Sequence, residues 1–287
     1  MKQVVTGHKG FIGSHYYKRV YDKHYLYPYD IKNGVGDDLS NPATTEKMAD
    51  CDVVVHFAAT NGTRLFYENP TAVLINNTLS TVNLVNRYKD SNTKFVFAST
   101  CEIFNSTIDN HLYPIPTDER VPVMFDDIAN PRWSYSIPKA LGENLIANSG
   151  MQYLIIRYFN IYGPGQETHF INEFVERVAN GEYYINGNDT RSFCYVDDAV
   201  EMTERLIENH VGYTVNVGRQ EELAISIVAK LIMDIMEVDP RKLEIREGPV
   251  GSARRRCPDT YLVKQLTGFT DYTPIKIGLR KTIESLL

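Results

Sequence analysis

A short apolar run over residues 3–6 leads into Thr6-Gly7-His8-Lys9-Gly10-Phe11-Ile12-Gly13, and a helical pattern begins at about Phe11. No other feature limits the fold as strongly. Three glycines between a strand and a helix permit a tight turn and leave the helix N-terminus open to an anion. Such a loop belongs to a parallel sheet crossed by helices, and the first half of the chain continues in that manner. Residues 25–30, 52–57, 94–99 and 153–158 read as strands, and residues 71–88 read as a long helix. This alternation predicts an α/β fold built on a doubly wound parallel sheet.

The breaker-rich Tyr162-Gly-Pro-Gly165 marks a transition. Residues 1–163 are expected to form a Rossmann-like domain, to which later segments can return. Residues 164–287 are expected to form mainly a smaller C-terminal α+β lobe for substrate. That lobe mixes helical patterns (172–179, 196–208, 225–236) with short strands (213–217, 243–246). Residues 105–132, with Pro114, Pro116, Pro122 and Pro131, read as one long loop, and its length suggests a lid or binding loop.

Composition excludes several classes of function. An apolar content of 43% supports a sizeable core, and a net charge of -6 argues against a nucleic acid as ligand. Arg254-Arg-Arg256 is the one basic run. Cys51, Cys101, Cys194 and Cys257 are widely spaced, which suggests neither a zinc site nor a disulfide framework. A reducing cytoplasm is therefore expected. No apolar run reaches the roughly 18 residues of a membrane span, and the opening strand leaves no room for a signal peptide.

Two further features carry chemistry. Asp30 ends the second strand, where a carboxylate accepts hydrogen bonds from an adenosine ribose and repels a 2′-phosphate. NAD is favoured over NADP on that ground, although the neighbouring Lys32 weakens the preference. Tyr135 and Lys139 lie one helical turn apart in Trp133-Ser-Tyr-Ser-Ile-Pro-Lys139. A lysine ammonium on the same face can lower a tyrosine pKa from about 10 and prepare it for proton transfer. Pro138 is compatible with this helix if the helix starts near Trp133.

Together these motifs resemble the extended short-chain dehydrogenase/reductase superfamily, in particular its NAD-dependent nucleotide-sugar epimerases, dehydratases and decarboxylases. The resemblance covers nearly the whole chain. It includes Asp38-Leu39, His56-Phe-Ala-Ala59, Asn77-x-x-x-Thr81-x-Asn83-Leu84, Arg157-Tyr-Phe-Asn160-Ile-Tyr-Gly-Pro-Gly-Gln166, Thr190-Arg191-Ser-Phe-Cys-Tyr-Val-Asp-Asp198, Asn216-Val-Gly218 and Arg246-Glu-Gly248. It implies NAD held by Gly7, Gly10, Phe11, Ile12, Gly13, Asp30, Asp38, Leu39, Phe57, Ala58, Ala59, Asn77, Tyr135, Lys139 and Tyr158. A nucleotide-diphosphate sugar would meet Thr100, Asn160, Arg191, Asn216, Arg246 and, less securely, Arg256. Tyr135 would remove the proton from the sugar C4 hydroxyl as hydride passes to NAD, with Thr100 and Lys139 assisting.

The outcome after oxidation turns on Cys101-Glu102. A Thr-x-Glu pattern resembles 4,6-dehydratases and UDP-glucuronate decarboxylases, and the stretch 130–139 resembles a decarboxylase of lipid A aminoarabinose synthesis. Glu102 is then a candidate catalytic group, with Cys101 beside it as a weaker acid or as a small buried side chain. A 4-epimerase in which Glu102 only orients its neighbours stays open, as does a non-catalytic sensor or scaffold of the same fold. The resemblance also implies a homodimer.

Overall fold

The computed structural model describes residues 1–248 and 254–287. In chain order the first half places β1 (Lys2–Thr6), α1 (Phe11–Val20), β2 (Tyr25–Tyr29), α2 (Pro42–Glu46) and β3 (Val53–His56). There follow α3 (Thr63–Glu68), α4 (Pro70–Tyr88), β4 (Lys94–Thr100), α5 (Asn105–Asp109), α6 (Trp133–Ala147) and β5 (Tyr153–Tyr158). The second half adds β6 (Ile161–Tyr162), α7 (Phe170–Ala179), β7 (Tyr184–Asn186), β8 (Thr190–Ser192), β9 (Cys194–Tyr195), α8 (Val196–Asn209) and β10 (Tyr213–Val217). It ends with β11 (Glu222–Ala224), α9 (Ile225–Ile235), β12 (Glu244–Arg246), β13 (Arg255–Arg256), α10 (Tyr261–Thr267) and α11 (Ile275–Glu284).

Six strands pair in the order β10-β5-β4-β3-β1-β2, all in parallel. This is the doubly wound sheet that the glycine loop and the strand-helix alternation imply. Its inner strands are apolar on both faces because both faces are covered. Val4, Val54, Phe95, Phe97 and Ile155 pack with Leu84, Val85 and Tyr88 of α4 and Ile146 of α6. Val5, Val55, Val96, Leu154 and Ile156 pack on the opposite face with Tyr16 and Val20 of α1 and Ala199 and Met202 of α8.

Both α8 and β10 lie beyond residue 163 yet complete this sheet and its helical layer. The apolar Val215 and Val217 are wholly buried, so this segment reaches its pairing partners only along β5. The remaining strands form small sheets: β11-β8-β13, β12-β7 and β6-β9.

Residues 105–132 differ from the long loop expected of them. The segment opens as α5, and its middle is tied down rather than free. Thr117 donates its N–H to Cys257 O at 2.8 Å and accepts at its carbonyl from Asp259 N at 2.8 Å and from Asn216 Nδ2 at 2.9 Å. Four prolines discourage regular structure, but side chains from β10 and backbone near residue 258 satisfy the polar groups instead. No helix among the described residues is long and apolar enough to cross a membrane.

Candidate active site at the carboxyl ends of the strands

The glycine loop closes against the end of β3. Gly7 has φ +72°, and a Cβ there would meet Ala58 N at 2.6 Å; a Cβ on Gly13 would meet Gly7 O at 2.1 Å. Side chains are therefore excluded, and the α1 N-terminus is left without a side-chain cap. Its bare N–H groups suit a pyrophosphate. Asp30 fixes the loop from β2: Oδ2 accepts from Lys9 N at 2.8 Å and Oδ1 from Lys32 N at 2.8 Å. Each oxygen keeps a further lone pair for a ribose hydroxyl, so these residues fit NAD. Gly13→Ala is expected to abolish NAD binding in a fluorescence titration. Gly36→Ala, whose Cβ would meet nothing within 4 Å, is expected to leave it unchanged.

Several residues expected around the cofactor have other principal partners. Leu39 is core, packed with the α4 layer, and Asp38 Oδ1 accepts from Ser40 N at 2.9 Å and Ser40 Oγ at 2.7 Å. Asn77 clamps the backbone of Thr60, accepting from its N–H at 2.8 Å and donating to its carbonyl at 3.0 Å. Tyr158 faces the α1/α8 layer, where its hydroxyl meets Thr203 Oγ1 at 2.8 Å; the phenol belongs to the core. Phe11, Ile12 and Phe57 are half-buried against that same layer, while Ala58 borders Gly7 and Ala59 is exposed. A motif identifies the segment that lines a site, but the pleat decides which of its side chains face it.

The chemistry gathers at the end of β4. Thr100 Oγ1 accepts from Glu102 N at 3.2 Å and so caps the single 3-10 turn 101–104, aiming Glu102 off the strand end. The α6 helix starts at Trp133 and continues through Pro138 to Ala147, as the Tyr-Lys spacing requires. Phe66 of α3 stacks on the Tyr135 ring at 5.2 Å with 14° between the planes. Lys139 Nζ lies 5.8 Å from the Tyr135 ring centroid and donates to Ala98 O at 2.7 Å.

The electrostatics differ from the simple expectation that Lys139 lowers the Tyr135 pKa. Burial is the largest influence on each group. It pushes the Tyr135 phenol up, aided by Glu102 and Cys101 and opposed by the Thr100 hydroxyl. It also draws the Lys139 ammonium down to about 7, with Glu143 opposing. The polypeptide alone therefore keeps Tyr135 protonated at neutral pH.

The Lys139 shift has a testable sign. An unfolded chain holds this proton up to about pH 10.4, whereas the folded chain releases it near 7, so stability rises with pH between those values. The stability of the wild type relative to Lys139→Met is expected to climb through that window by at most about 1.4 kcal/mol per pH unit. Urea titrations of the NAD-free proteins at pH 7 and 9 measure it, and equal differences at both pH values would refute it.

Glu102 sits among cations. Its Oε1 lies 3.2 Å from Arg132 Nη2 and 3.2 Å from Arg256 Nη2. Burial alone would raise the carboxyl, but Arg256 and Arg132, with His169 and Arg191, outweigh burial and hold it below the usual range. Arg256 Nε also donates to Asn105 Oδ1 at 3.1 Å, while Arg191 Nη1 donates to Thr190 O at 2.7 Å. Asn160, with φ +41°, leaves its buried Nδ2 without a hydrogen-bond partner among the described residues.

Cys101 is buried. It packs in a small apolar cluster with Ile103, Phe104, Ile108, Val121 and Phe159, and burial pushes its thiol up. Asn216 is wholly buried and pins residues 117–119 to β10, donating its Nδ2 to Thr117 O at 2.9 Å and its backbone N–H to Glu119 Oε1 at 2.9 Å. Arg246 lies outside the Glu102 cluster on the exposed β12, stacked 3.6 Å over Tyr184 and paired with Glu244 at 3.1 Å. Arg132, His169 and Phe66 had not been singled out from sequence. Arg132 lay in plain view beside Trp133, but only the fold turns it toward Glu102. Among the described residues no group of three or more His, Cys, Asp or Glu could hold a metal ion.

Known proteins similar to this chain fall in one group. The chain is 28% identical to the UDP-N-acetyl-alpha-D-glucosaminuronate decarboxylase of Bacillus cytotoxicus, over 98% of this chain and 96% of that one. It is 27% identical to UDP-glucuronic acid decarboxylase 1 of Danio rerio, over 98% and 71%. In structure it is similar to the UDP-glucuronic acid 4-epimerase of Bacillus cereus, solved with UDP-glucuronic acid and NAD, at a TM-score of 0.86 and 22% identity over 100% and 99% of the chains. That likeness shows the fold. Residues 3–218 match the NAD dependent epimerase/dehydratase family, three quarters of the sequence including the glycine loop, Thr100, Tyr135 and Lys139. The chain belongs to that family and is an NAD-dependent enzyme.

Proposed function

We propose that this enzyme oxidises a UDP-uronate at C4 and decarboxylates the resulting 4-keto acid. The observation that carries the reading is the buried pairing of Glu102 with two guanidiniums beside Thr100 and Tyr135. Two cations on one carboxylate leave a positive surplus, which fits a substrate that brings a carboxylate of its own. The two decarboxylase relatives support the same choice.

Bound NAD would supply the acceptor for the C4 hydride and return that hydride at the end of the cycle. Gly7, Gly10, Gly13 and Asp30 would hold it. Tyr135, its phenol first ionised with the proton passing to solvent and the charge balanced by the Lys139 ammonium and the cationic nicotinamide, takes the proton of the C4 hydroxyl, with Thr100 donating a hydrogen bond at the same oxygen. The ketone makes the sugar a β-keto acid. The C5–C6 bond then breaks, carbon dioxide leaves, and the electron pair passes into the C4 carbonyl as an enolate. A proton is added at C5, and Tyr135 returns its own proton to the C4 oxygen. Glu102, ionised and facing the substrate acid, disfavours the bound carboxylate relative to the neutral carbon dioxide that leaves.

The outward-facing Ile75 and Leu79 of α4 and Leu141 of α6 support pairing with a second copy through these helices. The function is tested by giving the NAD-loaded enzyme UDP-glucuronate, UDP-N-acetylglucosaminuronate and UDP-glucose and reading the products by mass spectrometry and NMR. Carbon dioxide and a UDP-pentose bearing solvent deuterium at C5 are expected from UDP-glucuronate. A C4 epimer with no loss of carbon identifies an epimerase instead, and tight NAD binding with no turnover identifies a sensor.

A further inference from the structure

Between Ala59 and α4 the chain makes a short excursion, α3, that buries a single side chain: Phe66, 2% exposed. On its outer side Arg64 and Glu68 pair at 3.5 Å, and Tyr67 is exposed. Both ends of the excursion are tied to α4. Asn77 clamps the Thr60 backbone with hydrogen bonds of 2.8 and 3.0 Å, and Asn69 caps the α4 N-terminus, its Oδ1 accepting from Ala72 N at 3.3 Å. The segment is therefore fixed at both ends and drives one flat side chain inward.

That side chain meets Tyr135, the ring centroids 5.2 Å apart and the planes 14° from parallel. Phe66 is hidden while Tyr135 is only half-buried, so the phenol keeps accessible surface and the phenyl closes one of its faces. A phenol oxygen lies on the axis of its ring. Turning about that axis leaves the oxygen in place, but a swing about the Cα–Cβ bond carries it away. A flat partner against one face blocks that swing and holds the plane of the ring.

We propose that Phe66 is a positioning residue for proton transfer at C4: stacked on Tyr135 and anchored to α4 through both ends of α3, it keeps the phenol oxygen beside Thr100 and water off one face of the ring. This rests on the reading of Tyr135 as the group that takes the C4 proton. A reacting atom displaced by about 1 Å can lose about 10²-fold in rate, so a contact that carries no charge and touches no substrate can still govern the step. The same ring contributes to the burial that pushes the Tyr135 phenol up. Its loss admits water to the phenol and brings the ionisation down.

The test uses NAD-loaded enzyme. Tyrosine ionisation is followed by NMR of isotope-labelled rings over a pH titration without substrate, with the Tyr135 signal assigned by its loss in Tyr135→Phe. Bound NADH is followed in single turnovers with UDP-glucuronate, UDP-N-acetylglucosaminuronate and UDP-glucose. Phe66→Ala is expected to ionise Tyr135 at lower pH and to slow NADH formation by about 10–100-fold, with substrate affinity changed less than about threefold. Phe66→Leu keeps apolar bulk without a flat face and should lie between, which carries the test should Phe66→Ala fail to fold. Phe66→Tyr restores the flat ring and is expected to recover the rate to within about threefold of wild type. In a Tyr135→Phe background Phe66→Leu should slow the residual rate no further, because its effect passes through the phenol. Equal slowing in both backgrounds overturns the proposal. An unchanged titration and rate in Phe66→Leu, with Tyr135→Phe slow, overturns it and leaves the Tyr135 reading standing. Wild-type NADH formation in Tyr135→Phe, or none from any of the three sugars in the wild type, rejects both.

Discussion

Tyr135→Phe is expected to lower kcat by about 10²–10⁴-fold, the usual contribution of a positioned acid-base group, with NAD affinity and melting temperature close to wild type. The phenol oxygen is the atom at issue. The Phe66 stack holds the ring, and that contact survives loss of the hydroxyl. Burial keeps the free phenol protonated, so the variant removes a proton carrier and introduces no missing charge. Single-turnover fluorescence of enzyme-bound NADH after mixing with substrate measures the step directly. A variant that forms NADH at the wild-type rate would show that another group takes the C4 proton.

Glu143→Ala is expected to cost about 3–5 kcal/mol of stability, the range for removing one partner of a buried ion pair. The Glu143 carboxylate accepts from Arg157 Nε at 2.9 Å, from Arg157 Nη2 at 2.6 Å and from Ser99 Oγ at 2.5 Å. The pair is largely hidden from water, with side-chain exposures of 9% for Arg157 and 11% for Glu143. Without Glu143 the guanidinium keeps Glu119 O and the face of Phe104, but its charge has lost its counter-ion. Glu143→Gln retains hydrogen-bond acceptance and should lose less. Urea unfolding at pH 7 ranks the three proteins, and a loss below about 1 kcal/mol for Glu143→Ala would mean that water reaches Arg157. The same change removes the charge that opposes the fall in the Lys139 pKa, so the pH at which Lys139 loses its proton should move lower.

Much of the site was legible because its parts are local. The glycine loop, Asp30 at a strand end, Thr100 at another and the Tyr135-Lys139 turn each occupy one short stretch whose backbone geometry follows from residue type. Parallel strands then bring their carboxyl ends to one edge of the sheet, so these stretches converge. Side-chain direction was not legible in the same way. Tyr158, Leu39, Asn77 and Asn216 lie in the right segments, but packing and hydrogen bonding turn them to α8, the α4 layer, Thr60 and Thr117. Cys101 and Glu102 are neighbours in sequence and differ completely in environment: one enters an apolar cluster, the other a pair of guanidiniums.

The sequence by itself determined the parallel α/β architecture, the glycine loop and the Tyr135-Lys139 turn, because each is encoded by residues within about one turn or one strand of each other. Only the tertiary structure decided that Arg132 and Arg256, 124 positions apart, share one oxygen of Glu102. That arrangement depends on where three separate elements stop, and the charge balance of a buried cluster has no signature in local pattern. In the proposed reaction the chemistry after C4 oxidation depends on it, since opposite charges brought out of water govern one another's protonation and the charge of the ligand they accept.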